Sequence, residues 1–125
     1  MPDSKKKVLI VEDDPHIREV YLTKLAQEGF GAEEAFDGED ALNKLKHSKP
    51  DVVMLDLMLP GKDGFWLLSQ MQSDPTLIDI PVVVLSNLGQ DEDRERALKF
   101  GVKEYMVKAE SPIVRVMNNV KKYLK

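Results

Sequence analysis

The chain contains no cysteine. Disulfides, thiolate metal sites and cysteine nucleophiles are therefore excluded, and the composition is compatible with a reducing cytosol. Aromatic residues are scarce, at 6%. No apolar run approaches the roughly 20 residues that span a bilayer. After the basic stretch Met1 to Lys7, the run Val8-Leu9-Ile10-Val11 stops at Glu12-Asp13-Asp14, too early for a secretory signal. Neither charge dominates: 18 Lys and Arg face 22 Asp and Glu, a net charge of −4, so a duplex-binding surface is not expected. What remains is an ordinary globular composition, 42% hydrophobic and 32% charged over 125 residues. That length is enough to bury a sizeable core without a metal or a staple. We expect a single domain over residues 1–125, cytoplasmic, with no membrane contact and no direct nucleic-acid contact.

Short apolar runs alternate with amphipathic stretches. Val8 to Val11, Val52 to Leu55 and Pro81 to Leu85 are apolar throughout, and Glu104 to Val107 is weaker. Such runs suit strands buried on both faces of a parallel sheet. Ala32 to Phe36 is more polar and reads as an edge strand. Between these runs lie five helix patterns. Asp14-Pro15 opens the first, with Ile17, Val20, Tyr21 and Leu25 on one face and Gly29 closing it. Asp37-Gly38 opens the second, with Ala41, Leu42 and Leu45 inward. Gly64 precedes the third, whose inner face is Phe65, Leu68 and Met71. Trp66 beside them is assigned to core packing ahead of a partner patch. Asp91 is placed as the cap of the fourth, which offers only Ala97 and Leu98 to a core. Ser111-Pro112 opens the fifth, with Ile113, Met117, Val120 and Leu124 on a stripe.

Strict β-α alternation predicts an α/β fold: a doubly wound, five-stranded parallel sheet of flavodoxin-like order 2-1-3-4-5, with helices on both faces. In such sheets ligands bind beyond the carboxyl ends of the strands. The residues there are Glu12-Asp13-Asp14, Asp56, Ser86 and Lys108. Converging carboxylates repel one another unless a cation sits among them. Oxygen donors without His or Cys favour a hard ion such as Mg²⁺. A lysine and a hydroxyl opposite that ion can complete a phosphate cradle. Taken singly, each residue has a plainer role as a helix cap, a turn former or a solvated charge. His16 and His47 are read as solvated.

Together, Val8 to Asp14, Asp51 to Gly64 with its Asp56-Leu57-Met58-Leu59-Pro60-Gly61 core, Pro81 to Ser86 and Gly101 to Lys108 resemble a response-regulator receiver domain over essentially the whole chain. The resemblance implies a signalling switch in a two-component system and not an enzyme acting on a separate substrate. Asp56 would accept a phosphoryl group from the phosphohistidine of a histidine kinase or phosphotransfer protein. Mg²⁺ would be held by Asp13, Asp56 and the backbone carbonyl of Met58, with Glu12 acting through water. Ser86 and Lys108 would contact the phosphoryl group. Ser86 and Tyr105 would form the switch, and the fourth helix, fifth strand and fifth helix would meet a downstream protein. The protein would be a monomer or a phosphorylation-promoted dimer.

Two positions depart from the family pattern. Ala109 follows Lys108 where proline is usual, leaving the following loop either trans or strained. Asn87 stands where a smaller residue is usual, and either narrows access to Asp56, tuning its rates, or points to solvent. Three other readings compete. A degenerate interaction module would not need Glu12, Asp13, Asp56, Ser86 and Lys108 together. A Mg²⁺-dependent phosphohydrolase often carries a second acid where Met58 stands. A flavin carrier needs a hydroxyl-rich phosphate loop where Glu12-Asp13-Asp14 would repel phosphate.

Overall fold

A computed structural model describes residues 5–124. The elements run β1 (Lys7–Val11), α1 (Pro15–Gln27), β2 (Gly31–Ala35), α2 (Gly38–Ser48), β3 (Val52–Leu55), α3 (Gly64–Gln72), β4 (Val82–Ser86), α4 (Asp91–Lys99), β5 (Glu104–Val107) and α5 (Ile113–Lys121). A single 3₁₀ turn, Lys108–Glu110, leads out of β5. The sheet is parallel, in the order β2-β1-β3-β4-β5. This is the topology the alternation predicts.

Both faces are covered, and the two-residue period of a strand divides its side chains between them. Leu9, Val11, Val53, Leu55, Val82 and Val84 face one core, with Ala41, Leu45, Phe65, Leu67 and Ala97 from α2, α3 and α4. Val8, Ile10, Val52, Met54, Val83 and Leu85 face the other, with Tyr21, Leu25, Val116 and Val120 from α1 and α5. Each fully buried aliphatic side chain stabilises the fold by about 1.5–3 kcal/mol.

The helix starts follow local chemistry. Asp14 caps α1 by accepting from the amides of His16 and Ile17, with Pro15 at the first helical position. Asp37 caps α2 through the amide of Asp40, and Asp63 caps α3 through that of Trp66. Gly29 takes the left-handed conformation beyond α1, at φ +85°.

Four details differ from expectation. The edge strand β2 lies one residue earlier, so that Phe36 is exposed. Strand β4 starts one residue after its apolar run begins, at Val82, and ends at Ser86 as expected. Helix α4 starts at Asp91 with Gln90 as its cap residue, and no side chain caps it. Asp91, Glu92 and Asp93 fill the first turn instead, where the helix dipole favours acids. Finally, Val20 and Leu98 are exposed, because the buried stripes of α1 and α4 are narrower than their apolar residues suggest. Trp66 is half-buried against the first core, and Leu124, buried in the second, lies past the end of α5.

Candidate functional site

Strand register brings the site together. Val11 of β1 pairs with Leu55 of β3, so Glu12 and Asp56 emerge side by side. Ser86 of β4 pairs with Val107 of β5, which sets Lys108 one residue beyond. The backbone continues these contacts. The amide of Asp56 donates to the Val11 carbonyl at 3.0 Å, and that of Glu12 to the Ala35 carbonyl at 2.9 Å.

Asp56 is buried, and its carboxylate is fully engaged. Oδ1 accepts from the Ser86 hydroxyl at 2.9 Å and from the Met58 amide at 3.0 Å. Oδ2 lies 2.8 Å from Lys108 Nζ. The same ammonium lies 2.5 Å from Glu12 Oε1, while Glu12 Oε2 accepts from the Asp14 amide at 3.2 Å. Glu12 is buried and Asp13 exposed. One oxygen from each of Glu12, Asp13 and Asp56 falls within 4.8 Å of the others. The expected acids, hydroxyl and lysine therefore share one rim.

The electrostatics follow from burial and charge. Burial pushes the Glu12 carboxyl up to about 7; the hydrogen bond from Lys108 opposes this, and the neighbouring Asp56 charge adds to it. Burial alone would lower the Lys108 ammonium, but its hydrogen bonds to Asp56 and Glu12 outweigh that and hold it above its ordinary value. Lys108 is thus a fixed cation among crowded carboxylates.

The donor set fits a hard divalent ion. Three carboxylates converge, none of the grouped ligands is His or Cys, and exposed Asp13 leaves one side open to solvent and to a phosphate. Met58 exposes its side chain at this mouth, while its amide is tied to Asp56. Asn87 is exposed at the rim. The peptide bonds of the described residues are all trans, including that between Lys108 and Ala109, and Lys108 reaches both acids from the 3₁₀ turn.

Tyr105 is half-buried against the first core, and its hydroxyl donates to the Leu88 carbonyl at 2.5 Å. The Leu88 amide in turn approaches the Ser86 hydroxyl at 3.4 Å. A chain of contacts therefore joins Tyr105, the β4–α4 loop, Ser86 and Asp56. Sequence reasoning missed Arg18. Its Nη1 donates to the Glu12 carbonyl at 2.7 Å and its Nε to Glu34 at 3.0 Å. It also missed Arg96, whose guanidinium lies 3.9 Å from the Phe65 ring centre and links α4 to α3. Neither residue type announces such a role, since an arginine on a charged helix face is ordinarily solvated.

In sequence and in fold the chain is similar to known proteins. The family model for the response regulator receiver domain matches residues 8–118. The phosphate regulon transcriptional regulatory protein PhoB of Escherichia coli is 40% identical over 107 residues. That match covers 86% of this chain and 47% of PhoB, so the chain spans about half the length of that regulator. The BeF3-activated receiver domain of Klebsiella pneumoniae RstA superposes with a TM-score of 0.85 at 28% identity, covering 95% of this chain and 98% of the other. The phosphorylated cyanobacterial phytochrome response regulator RcpA gives 0.83 at 32% identity, covering 95% and 91%.

Proposed function

The chain belongs to the response regulator receiver domain family, and from that premise we propose that Asp56 is its phosphoryl acceptor. A carboxylate oxygen of Asp56 attacks the phosphorus of a phosphohistidine on a histidine kinase or phosphotransfer protein. The new P–O bond forms as the P–N bond breaks, and the donor imidazole leaves with the electron pair. Asp13, Asp56 and the Met58 carbonyl would hold Mg²⁺, with Glu12 acting through water. When bound, that ion neutralises charge on the transferring phosphoryl oxygens.

The protein's own groups do the remaining work. Lys108 pairs with a phosphoryl oxygen, and the Ser86 hydroxyl turns from carboxylate to phosphoryl group. The acyl phosphate adds about one to two negative charges where a single carboxylate stood. Ser86 follows that charge, Tyr105 follows through the Leu88 contact, and the surface of α4, β5 and α5 changes its fit to a downstream protein. The chain thus acts as a switch, promoting only its own phosphorylation and dephosphorylation, as one receiver domain over residues 1–125 in the cytoplasm. It is a monomer or a dimer promoted by phosphorylation, and Asn87 at the rim tunes the rates.

The observation that carries this reading is the Asp56 carboxylate itself. It is buried, bonded by Ser86 and Lys108, and within reach of two further acids. A purely structural aspartate would not gather both a cation and competing anions. The test is intact mass after incubation with a small phosphodonor. One Mg²⁺-dependent phosphoryl adduct on wild type, absent from Asp56→Asn, is expected. An equal adduct on the Asp56→Asn protein contradicts the assignment.

A further inference from the structure

Two backbone hydrogen bonds flank the short junction between β2 and α2, one reaching Glu12 and the other the loop after β3. The Ala35 carbonyl accepts from the Glu12 amide at 2.9 Å. Three residues on, the Gly38 amide donates to the Lys62 carbonyl, also at 2.9 Å. Glu12 belongs to the acidic pair. Lys62 belongs to the loop between β3 and α3, which carries Met58. The junction therefore holds both Glu12 and the loop that carries Met58 without contributing a side chain to the site.

The second hydrogen bond depends on glycine. A Cβ at Gly38 would stand 2.5 Å from the Lys62 carbonyl oxygen and 3.0 Å from its carbonyl carbon. Both are backbone atoms, so no rotamer change relieves the contact. Helix α2 is poorly placed to retreat. Ala41 and Leu45 are fully buried in the first core, and the Asp37 cap fixes its first turn through the Asp40 amide at 2.8 Å. The loop is therefore the part that yields. It is already tightly folded, with Gly61 left-handed at φ +64° and the Gly64 amide bonded to the Leu57 carbonyl at 3.1 Å. Only Leu59, Pro60 and Gly61 separate Lys62 from Met58, so a displacement at Lys62 has a short path to the Met58 carbonyl.

We propose that Gly38 is a positioning residue. By admitting the Lys62 carbonyl to hydrogen-bond contact, it sets the place of the Met58 carbonyl and with it the affinity for Mg²⁺. This rests on the reading above that the Met58 carbonyl is a metal ligand. It makes the β2–α2 junction, remote from α4, β5 and α5, a second handle on the site.

The test is a Mg²⁺ titration of Gly38→Ala beside wild type, Ala41→Gly and Asp13→Ala, with denaturant stability measured for each. Gly38→Ala should bind Mg²⁺ about tenfold more weakly, the size expected when a group supporting a metal ligand is disturbed. Ala41→Gly destabilises the same helix and should keep the wild-type Kd. Wild-type affinity in Gly38→Ala, or an equal loss in Ala41→Gly, overturns the proposal. Should Gly38→Ala not fold, the wild-type Gly38 amide resonance decides. It should move during Mg²⁺ titration with the Kd of the site, and an unmoved resonance overturns the proposal. Wild-type binding by Asp13→Ala would instead refute the metal reading on which it rests.

Discussion

Lys108 Nζ lies 2.5 Å from Glu12 Oε1, closer than its 2.8 Å to Asp56 Oδ2. Without a metal, this ammonium is the counter-charge that lets buried acids stand together. It also repels a divalent ion from the same oxygens. Lys108→Met should therefore have two opposed effects. The metal-free protein should lose about 3 kcal/mol near neutral pH, the typical cost of stranding a buried ion-pair partner. Mg²⁺ should bind more tightly and recover part of that loss. Chemical denaturation with and without Mg²⁺ reads both; a variant as stable as wild type in the absence of metal would contradict this role.

The displaced Glu12 titration gives a pH dependence. Its folded carboxyl sits at about 7 against an ordinary 4.5, so the folded protein holds the extra proton between those values. Stability of the metal-free protein should then fall as pH rises from 4.5 to 7, by up to about 3 kcal/mol at 1.4 kcal/mol per unit. Lys108 keeps its proton throughout, since it is held above its ordinary value. Mg²⁺ affinity should climb over the same interval and level above pH 7, with proton release on binding below it. Titration calorimetry in buffers of different ionisation enthalpy measures that release, and Glu12→Gln should abolish it.

Gly64 is a second point where bulk is forbidden. A Cβ there would meet the Leu57 Cα at 2.6 Å and the Asp56 carbonyl oxygen at 2.9 Å. Gly64→Ala should cost about 1–3 kcal/mol, the range for overpacking a tight interior. It should also slow phosphorylation by displacing Asp56. Denaturant titration and the rate with a small phosphodonor check the pair.

Tyr105 fastens the β4–α4 loop through the Leu88 carbonyl. Tyr105→Phe keeps the ring and removes only that bond, so the expected loss is about 1 kcal/mol. Amides of residues 87–90 should exchange faster in the variant, while those of β1 and β3 should not. Equal protection of the loop in both proteins would show that the hydroxyl holds nothing.

Some of this was open to sequence reading and some was not, for physical reasons. The edge strand β5 matches Glu104 to Val107 with only Met106 buried, whereas Val52 to Leu55 matches β3 because a strand covered on both faces is apolar until it leaves the sheet. For the same reason the runs do not alternate, so which of Leu9 and Ile10 meets which core could not be read. Asp56 and Lys108 were visible because charges following apolar strands have few other reasons to be there. The start of α4 was one residue off, since three consecutive acids satisfy the helix dipole in more than one register. The helical spacing places Val20 inward, although α1 buries only its Tyr21 and Leu25 line. Arg18 on the Glu12 carbonyl, Tyr105 on Leu88 and Gly38 on Lys62 all join a residue to a backbone carbonyl brought near by tertiary packing. No residue type marks such an acceptor in advance.

The central claim is that Asp56 carries the phosphoryl group. Borohydride reduces an aspartyl phosphate to homoserine and so records the site in the peptide itself. After phosphorylation in Mg²⁺, by a small donor or a phosphorylated phosphotransfer protein, peptide mass mapping should find homoserine at position 56 and nowhere else. Homoserine at another acid, or labelling of Asp56→Asn at the wild-type rate, would contradict the account.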